Sequence, residues 1–482
     1  MEYRYIGDAF DWQEASDINA IDDLCILQKP VPQLENVLFT VSFEHADVIH
    51  AGLFFYAHSA FENTASATLS WLFLNPAPTA RVVSWKATAH IVWFKRGTLS
   101  KLDITRKYAN VHIKMADLAY QVMQQGGRVF NEPSLAVVKS DEQRIAISRK
   151  DEIEFLKHNH LRQALTFVAP FRALFSLSDK RLTRATGKFE NAFIGSLKLK
   201  HIPAYSVILP TINRYDYLDK AIKSLLENKF PPAEIIVVDQ TSSENRIVNY
   251  YDQFPHDIVK VFFLEKPGQC SARNRAVKEA THDWLLFFDD DSVAWPEMIT
   301  EHIKLLEYSV ATVSTGLSLA PWKDLSYISP EINFYHISPV MDTGNCMMHK
   351  ESIRKVGGFD LAFDRGSGAD DNLGKRLYLN GEIIVLNPFS IRTHYKASTG
   401  GLRQHGAWWK NKGTLFGPLP LPTESYNLLT FYPRKFYLKM CMLKLFTSYR
   451  RTSWMHRIVN TLLFPVKLVK SYRQAQVLIR ER

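Results

Sequence analysis

At 482 residues the chain is longer than one hydrophobic core usually supports, so at least two domains are expected. Its 46% hydrophobic and 22% charged residues, with 21 Gly and 22 Pro, exclude a disordered or fibrous chain, and the wide separation of Cys25, Cys270, Cys346 and Cys441 excludes a zinc ribbon or disulfide scaffold and suits a reducing compartment. The net charge of +10 belongs to the last segment: residues 431–482 hold 12 Lys and Arg against one acid, Glu481, which leaves the remainder near neutral.

The start, MEYRYIGDAFDWQEASD, is acidic and lacks a basic segment followed by an apolar run, so it does not read as a secretory signal. No window reaches about 18 uninterrupted apolar residues, which argues against a spanning helix. Residues 1–140 carry a faint repeat of a later region at a constant offset of 255, matching Thr88 to Thr343, Leu118 to Leu373, Gly126 to Gly381 and Pro133 to Pro388. Residues 141–200 read as a charged, helix-rich linker. From Tyr205 the signals alternate: YSVILPT and EIIVVDQ are apolar runs, and DYLDKAIKSLLEN between them has helical spacing. The cycle repeats with VKVFFLEK as a strand, CSARNRAVKEA as a helix and DWLLFFDDD as a strand ending in three carboxylates.

Continuous apolar strands alternating with helices predict an α/β fold with a mixed, mostly parallel sheet, buried on both faces. In such sheets ligands bind beyond the carboxyl ends of the strands. Here those ends carry Pro210-Thr211-Ile212-Asn213-Arg214, Asp239-Gln240-Thr241-Ser242 and Asp289-Asp290-Asp291. Prolines 418, 420 and 422 interrupt helix and sheet, so a catalytic domain is expected over 201–422. Residues 423–482 then form a tail mixing Phe, Tyr, Trp and Leu with Lys and Arg, a composition suited to a helix in an anionic membrane interface, or to a cationic helix packed on its own protein.

The ordered elements SVILPTINR, EIIVVDQTS, PGQCSARN, FFDDDS, DTGNCMMHK with VGGFD, GADDNLGKRL and THYKASTGGLR resemble family 2 glycosyltransferases of the GT-A fold over most of residues 205–405. The resemblance implies an inverting transferase that uses a nucleotide-sugar donor and Mg²⁺ or Mn²⁺. The chemistry of the residues agrees: a departing diphosphate needs a cation, and closely spaced carboxylates can hold one while the phosphates complete its shell. By resemblance Asp291 is the direct metal ligand, Asp289 its partner, His394 the third ligand, and Asp290 a contact to the donor sugar or ribose. Inversion needs a base opposite the leaving group. Aligning Leu373 and Arg376 with the family pattern puts Asp370 at that position, with Asp371 as the alternative, although Ala369 stands where the family usually has Glu.

The resemblance also implies that Pro210, Thr211, Asn213, Asp239, Gln240, Arg273 and Asn274 line the nucleotide site and that Gly344 and Asn345 approach the donor sugar. Trp408 and Trp409 are acceptor candidates, since aromatic faces stack on sugars, with a buried aromatic pair as the competing reading. WKATAHIVWFKRGTLSKLD followed by ADLAYQVMQQGGRVFNEP resembles the acceptor half of the same family, so residues 1–140 are expected to be a degenerate, non-catalytic copy, or else an unrelated accessory module. At the offset of 255, Asp370 falls on Met115 and His394 on Lys139. Such a remnant could pack on the catalytic domain or build a homo-oligomer.

The acceptor implied is a glycan or glycolipid in cell-surface polysaccharide synthesis, and the expected location is the cytoplasmic, inner face of the cell membrane. A catalytically inactive scaffold, or a sugar-nucleotide-binding protein in a polysaccharide assembly complex, is the alternative; the retained acidic cluster speaks against decay. Nucleic acid is not an expected partner, because no recognised reading module appears and the basic residues lie outside the carboxylate-lined domain.

Overall fold

The structure is a computed structural model that describes all residues except 7–9, 32–33, 58–59, 137–143, 160, 162–188, 190–197, 200, 330–331, 339, 399–400, 402–416, 450–452 and 482. Trp408, Trp409 and Lys139 therefore lie outside the described residues, as does most of the expected linker over 141–200. All four cysteines are buried and free.

Two sheets organise the chain. The first contains β1 (Glu2–Tyr5), β2 (Leu24–Leu27), β3 (Val48–His50), β4 (Val82–Val83), β5 (Ile91–Phe94) and β6 (Val129–Asn131), in the order β1-β2-β5-β3-β6-β4. The second contains β7 (Tyr205–Thr211), β8 (Glu234–Asp239), β9 (Val259–Phe263), β10 (Trp284–Phe288), β11 (Ser292–Ala294), β12 (Val313–Leu319), β13 (His336–Ile337), β14 (Asn345–His349) and β15 (Ile384–His394). Its order is β11-β15-β12-β14-β10-β7-β8-β9, with β13 paired to β15. Among described residues, the helices of ten or more residues are α1 (Trp12–Ile21), α2 (Val111–Gln124), α3 (Arg149–His158), α4 (Tyr215–Leu226), α5 (Gln269–Glu279), α6 (Met298–Tyr308), α7 (Ala369–Leu379), α8 (Pro422–Phe431), α9 (Arg434–Ser448) and α10 (Trp454–Arg480).

In the second sheet β10, β7, β8 and β9 run parallel, while β14 joins them antiparallel and carries β12 and β15 beyond it. The inner parallel strands β7, β8 and β10 bury side chains on both faces, which is why they read as apolar runs, whereas β9 at the edge is mostly half-buried. Val207, Leu209, Ile235 and Val237 face one core; Ile208, Ile236 and Val238 face the other. Leu218, Ala221, Ile222 and Leu225 of α4 recur at helical spacing and close the first face. The second face is continuous with the core of the first sheet, so one apolar interior joins the two.

The two sheets share one pairing pattern. β1–β2–β5–β3–β6–β4 repeats the parallel and antiparallel sequence of β7–β10–β14–β12–β15–β13, pair for pair. Leu24 opposite Phe94 corresponds to Trp284 opposite His349, and Val48 opposite Val129 to Val313 opposite Ile384. Among the described residues, the first sheet has no counterpart of β8 or β9. Contact between the halves is reciprocal: Gly126, after α2, lies against Phe334 and Tyr335 just before β13, and Gly381, after α7, lies against Val82 of β4. Trp71 is buried in this contact, its indole N–H donating to the Ser338 carbonyl at 2.7 Å.

The last three helices pack on the protein and on one another through Tyr426, Phe436, Tyr437, Met440, Cys441, Phe464 and Ala475, which are buried. Lys435 bridges to Glu62 at 2.6 Å, and Tyr426 donates to Asp360 at 2.5 Å. The outward faces are apolar at Leu438, Met442 and Phe446 of α9 and at Met455, Ile458, Leu462, Val466 and Val469 of α10. No described helix is long and apolar enough to cross a membrane.

Candidate active site

The carboxyl ends of β7, β8 and β10 open onto a cavity of about 320 Å³, closed on its far side by the loop Asp364–Gly368 and the first turn of α7. Pro210, Thr211, Gln240, Arg273, Asp289, Asp290, Asp291, Gly344, Asp370 and His394 all line it, so residues 184 positions apart in sequence meet around one space. The loop is anchored by a helix N-terminus: Asp364 accepts the Cys270 and Ser271 backbone N–H groups at 2.8 and 2.7 Å, and the Gln269 amide donates to the Phe363 and Gly366 carbonyls at 2.6 Å.

Asp289, Asp291 and His394 bring their ligand atoms within 4.8 Å of one another. The antiparallel pairing of β11 with β15 sets His394 opposite Ser292, one residue past the acidic run, and His394 Nε2 lies 3.2 Å from Asp291 Oδ1. Burial would raise the Asp289 pKa, but Arg392 and Arg273, at 2.9 and 3.0 Å from its two oxygens, outweigh burial and hold it well below the usual carboxylate range. Asp291 is also lowered: burial opposes, while His394 and Arg214 favour the charged form. Asp290 goes the other way. Burial, reinforced by Asp291, pushes it up to about 6 although Arg214 and Thr211 both donate to it at 2.8 Å. The cluster thus offers two ionised carboxylates and an imidazole, a donor set that could hold a divalent metal ion.

Asp370 stands in the first turn of α7, its Oδ1 accepting the Thr343 hydroxyl at 2.5 Å. Burial pushes its pKa up to about 6, against the nearby charge of Arg273 and the Thr343 hydrogen bond. Asp371 does not reach this cavity; it pairs with the buried Lys375 and takes a hydrogen bond from Asn427 at 3.3 Å.

Four expected donor contacts stand behind or beside the cavity instead of on its wall. Asp239 is fully buried, its carboxylate occupied by the Tyr215 and Tyr251 hydroxyls and the Thr241 N–H. Asn274 clamps Phe359 through both its amide groups, at 2.8 Å each. Asn345 is held by His302 and the carbonyls of Leu317 and Ser390. Asn213 is exposed and takes φ 54°, turning the chain between β7 and α4. These polar groups order the loops because a buried amide or carboxylate must find partners somewhere, and here the partners are protein. Gly344 does line the cavity, and packing within the protein already calls for glycine there: a Cβ would lie 2.1 Å from Asp289 and 2.3 Å from Arg392.

Sequence reasoning missed Arg392, the hub of the site. It is nearly inaccessible and donates to Asp289, Asp342, Ser292 and Ser318. The available signal was a cation two residues before His394, within a strand that is largely buried. Arg214, which spans Asp290 and Asp291, and Asp342, two residues before Gly344, were likewise inside quoted motifs without being assigned roles.

Residues 206–356 match the family model described as Glycosyl transferase family 2. Over 120 residues the chain is 31% identical to the putative teichuronic acid biosynthesis glycosyltransferase TuaG of Bacillus subtilis strain 168, covering 24% of this chain and 48% of that protein. It is 38% identical over 93 residues, 19% of this chain and 30% of the relative, to the GalNAc(5)-diNAcBac-PP-undecaprenol beta-1,3-glucosyltransferase of Campylobacter jejuni subsp. jejuni serotype O:2. The matches span about half or less of the length of these curated relatives. A solved structure of GalNAc-T7 with UDP, GalNAc and Mn²⁺ aligns at 13% identity over 60% of each chain, with a TM-score of 0.41.

Proposed function

With residues 206–356 forming a family 2 glycosyl transferase domain, we propose that the chain transfers a sugar from a nucleotide-sugar donor to a glycan or glycolipid acceptor, inverting the anomeric carbon. The observation that carries this reading is that one cavity holds both a cluster whose geometry could hold a metal ion, Asp289, Asp291 and His394, and a separate carboxylate, Asp370, on a different element. A divalent cation bound by the cluster would neutralise charge on the departing diphosphate. Thr211, Gln240 and Arg273 offer the nucleotide hydrogen-bonding groups on the β7 and β8 side. Asp370 takes the proton from the acceptor hydroxyl as that oxygen bonds to the anomeric carbon and the bond to the diphosphate breaks. A pKa of about 6 leaves Asp370 ionised at neutral pH and basic enough to accept that proton.

The tail supports a peripheral seat on an anionic membrane, on the cytoplasmic face, because its outward apolar stripe accompanies nearly all of the chain's net positive charge. The shared pairing pattern supports reading residues 1–140 as a degenerate copy of the catalytic domain. Continuing the register past β2 sets Lys29, Pro30 and Val31 where Asp289, Asp290 and Asp291 follow β10, and Met115 where α7 has Asp370, so the copy keeps neither the metal cluster nor the base.

Incubating the full chain with a panel of nucleotide sugars, with and without Mn²⁺, tests the reading. Metal-dependent hydrolysis of, or thermal protection by, one donor is expected; no response to any donor would remove the transferase assignment.

A further inference from the structure

A second cavity, of about 400 Å³, lies across the loop Arg365–Gly368 from the catalytic one, and Ser367 and Gly368 line both. Its walls come from three regions: Leu69 of the first half, the Asp371 face of α7, and the tail helices α8 and α9 through Leu428, Tyr432, Met440 and Leu443. Its four charged groups pair off, Lys375 with Asp371 and Lys444 with Glu424 at 2.7 Å, and the remaining lining is mostly apolar, with Ser367, Asn427 and Tyr432 as its polar members. Gly368 takes φ 97°, a left-handed conformation that favours glycine, and adds no side chain of its own to the boundary that it shares with Ser367.

We propose that this second cavity holds the hydrocarbon part of a lipid-linked acceptor, whose sugar reaches Asp370 across Gly368. The inference rests on the transferase reading and adds to it the class of acceptor. A free polysaccharide would need a row of unpaired hydrogen-bonding groups along the wall; the charged pairs are neutralised, Asn427 is bonded to Asn372 and Asp371, and the Tyr432 hydroxyl is a single buried group without a partner among the described residues. A hydrocarbon chain needs only apolar surface, and it has to arrive from a bilayer. Helix α9 serves both ends of that route: Met440 and Leu443 line the cavity, while Leu438, Met442 and Phe446 on another face of the same helix are exposed.

The test uses the full chain and a fluorescent dodecyl glucoside, kept below its micelle concentration, in a fluorescence titration without donor. Saturable binding is expected, weakened about tenfold by Leu443→Trp and by Leu69→Trp, which fill the cavity from the tail and from the first half of the chain. Both positions are partly accessible, and the melting curve of each variant is recorded; if one fails to fold, the other decides. No saturable binding by the unmodified chain, or unchanged affinity in a folded variant, overturns the proposal. Nucleotide-sugar hydrolysis measured on the same preparation reports on the transferase reading separately, because the lipid titration contains no donor.

Discussion

Asp370 and Asp371 are neighbours in the first turn of α7, yet they face different cavities: Asp370 looks into the space shared with Asp289 and Asp291, and Asp371 into the apolar one behind it. Asp370→Asn should therefore abolish transfer while leaving donor binding within about threefold, because the carboxylate acts on the acceptor hydroxyl. Asp371→Asn removes a surface partner of Lys375 and should preserve turnover of a short, water-soluble acceptor. Steady-state kinetics and donor titration of the two variants check this; the reverse pattern would move the base to Asp371.

The pH profile follows from the same residue. Burial raises Asp370 from 3.8 to about 6, and the base works only when ionised, so kcat/KM should be full above that pH and fall as pH drops through about 6. The Thr343 hydroxyl lowers this pKa by donating to the carboxylate. Thr343→Val should thus move the acid limb to higher pH. A limb that stays in place would assign it to another group.

Metal dependence is expected to act through Asp291. Asp291→Asn leaves a neutral amide beside His394 and Arg214 and should weaken metal-dependent donor binding, an effect EDTA reproduces in the unmodified protein. Thermal shift with donor and Mn²⁺ measures it: donor at a hundredfold excess over Kd adds about 2.7 kcal/mol of stability, which the variant should lose in large part. Full activity in excess EDTA would remove the metal from the mechanism.

The interface between the two halves makes a sign prediction. Alanine in a helix interior normally stabilises relative to glycine by about 1 kcal/mol. At Gly374, inside α7, a Cβ would instead lie 2.1 Å from the Trp71 ring. Gly374→Ala should therefore destabilise by about 1–3 kcal/mol, as overpacking does. In a Trp71→Ala background the same change should become neutral or stabilising, and urea unfolding of the four proteins measures the coupling. Additive effects would mean that the ring has room to move.

The part of the fold legible in the sequence was the part dictated by local pattern. The apolar runs of β7, β8 and β10, the helical spacing of α4 and the acids after β10 each depend on neighbours in the chain. The two strands that complete the first sheet's resemblance to the second, β1 and β2, are only four residues each, too short for periodicity to mark, and the offset of 255 does not extend to them. Within the site, residue type did not distinguish a ligand contact from a loop support. Asp239, Asn274 and Asn345 have the chemistry of donor contacts, but tyrosines, backbone carbonyls and His302 from distant segments already satisfy them. Arg392 was hidden for the same reason: its four partners come from residues 289 to 342, and only the sheet's crossing order brings them together.

The tail is part of the core as well as of the surface. Deleting residues 431–482 would strip Phe436, Tyr437, Met440 and Phe464 from the core, so lost vesicle binding could reflect unfolding. The outward stripe of α10 offers a cleaner change, because Leu462 and Val466 are 73% and 64% exposed and one turn apart. Placing Glu at both removes apolar contact with the interface and adds two negative charges, one of them a helical turn from Lys470. The melting temperature should stay within a few degrees, since exposed substitutions usually change stability by under about 0.5 kcal/mol. Sedimentation with vesicles containing anionic phosphatidylglycerol should show strong binding by the unmodified chain and little by the double variant. The electrostatic part should fade as salt rises, because the Debye length shrinks from about 30 Å at 0.01 M to about 10 Å at 0.1 M. Undiminished binding by the folded Leu462→Glu, Val466→Glu protein would place the membrane contact on another surface of the molecule.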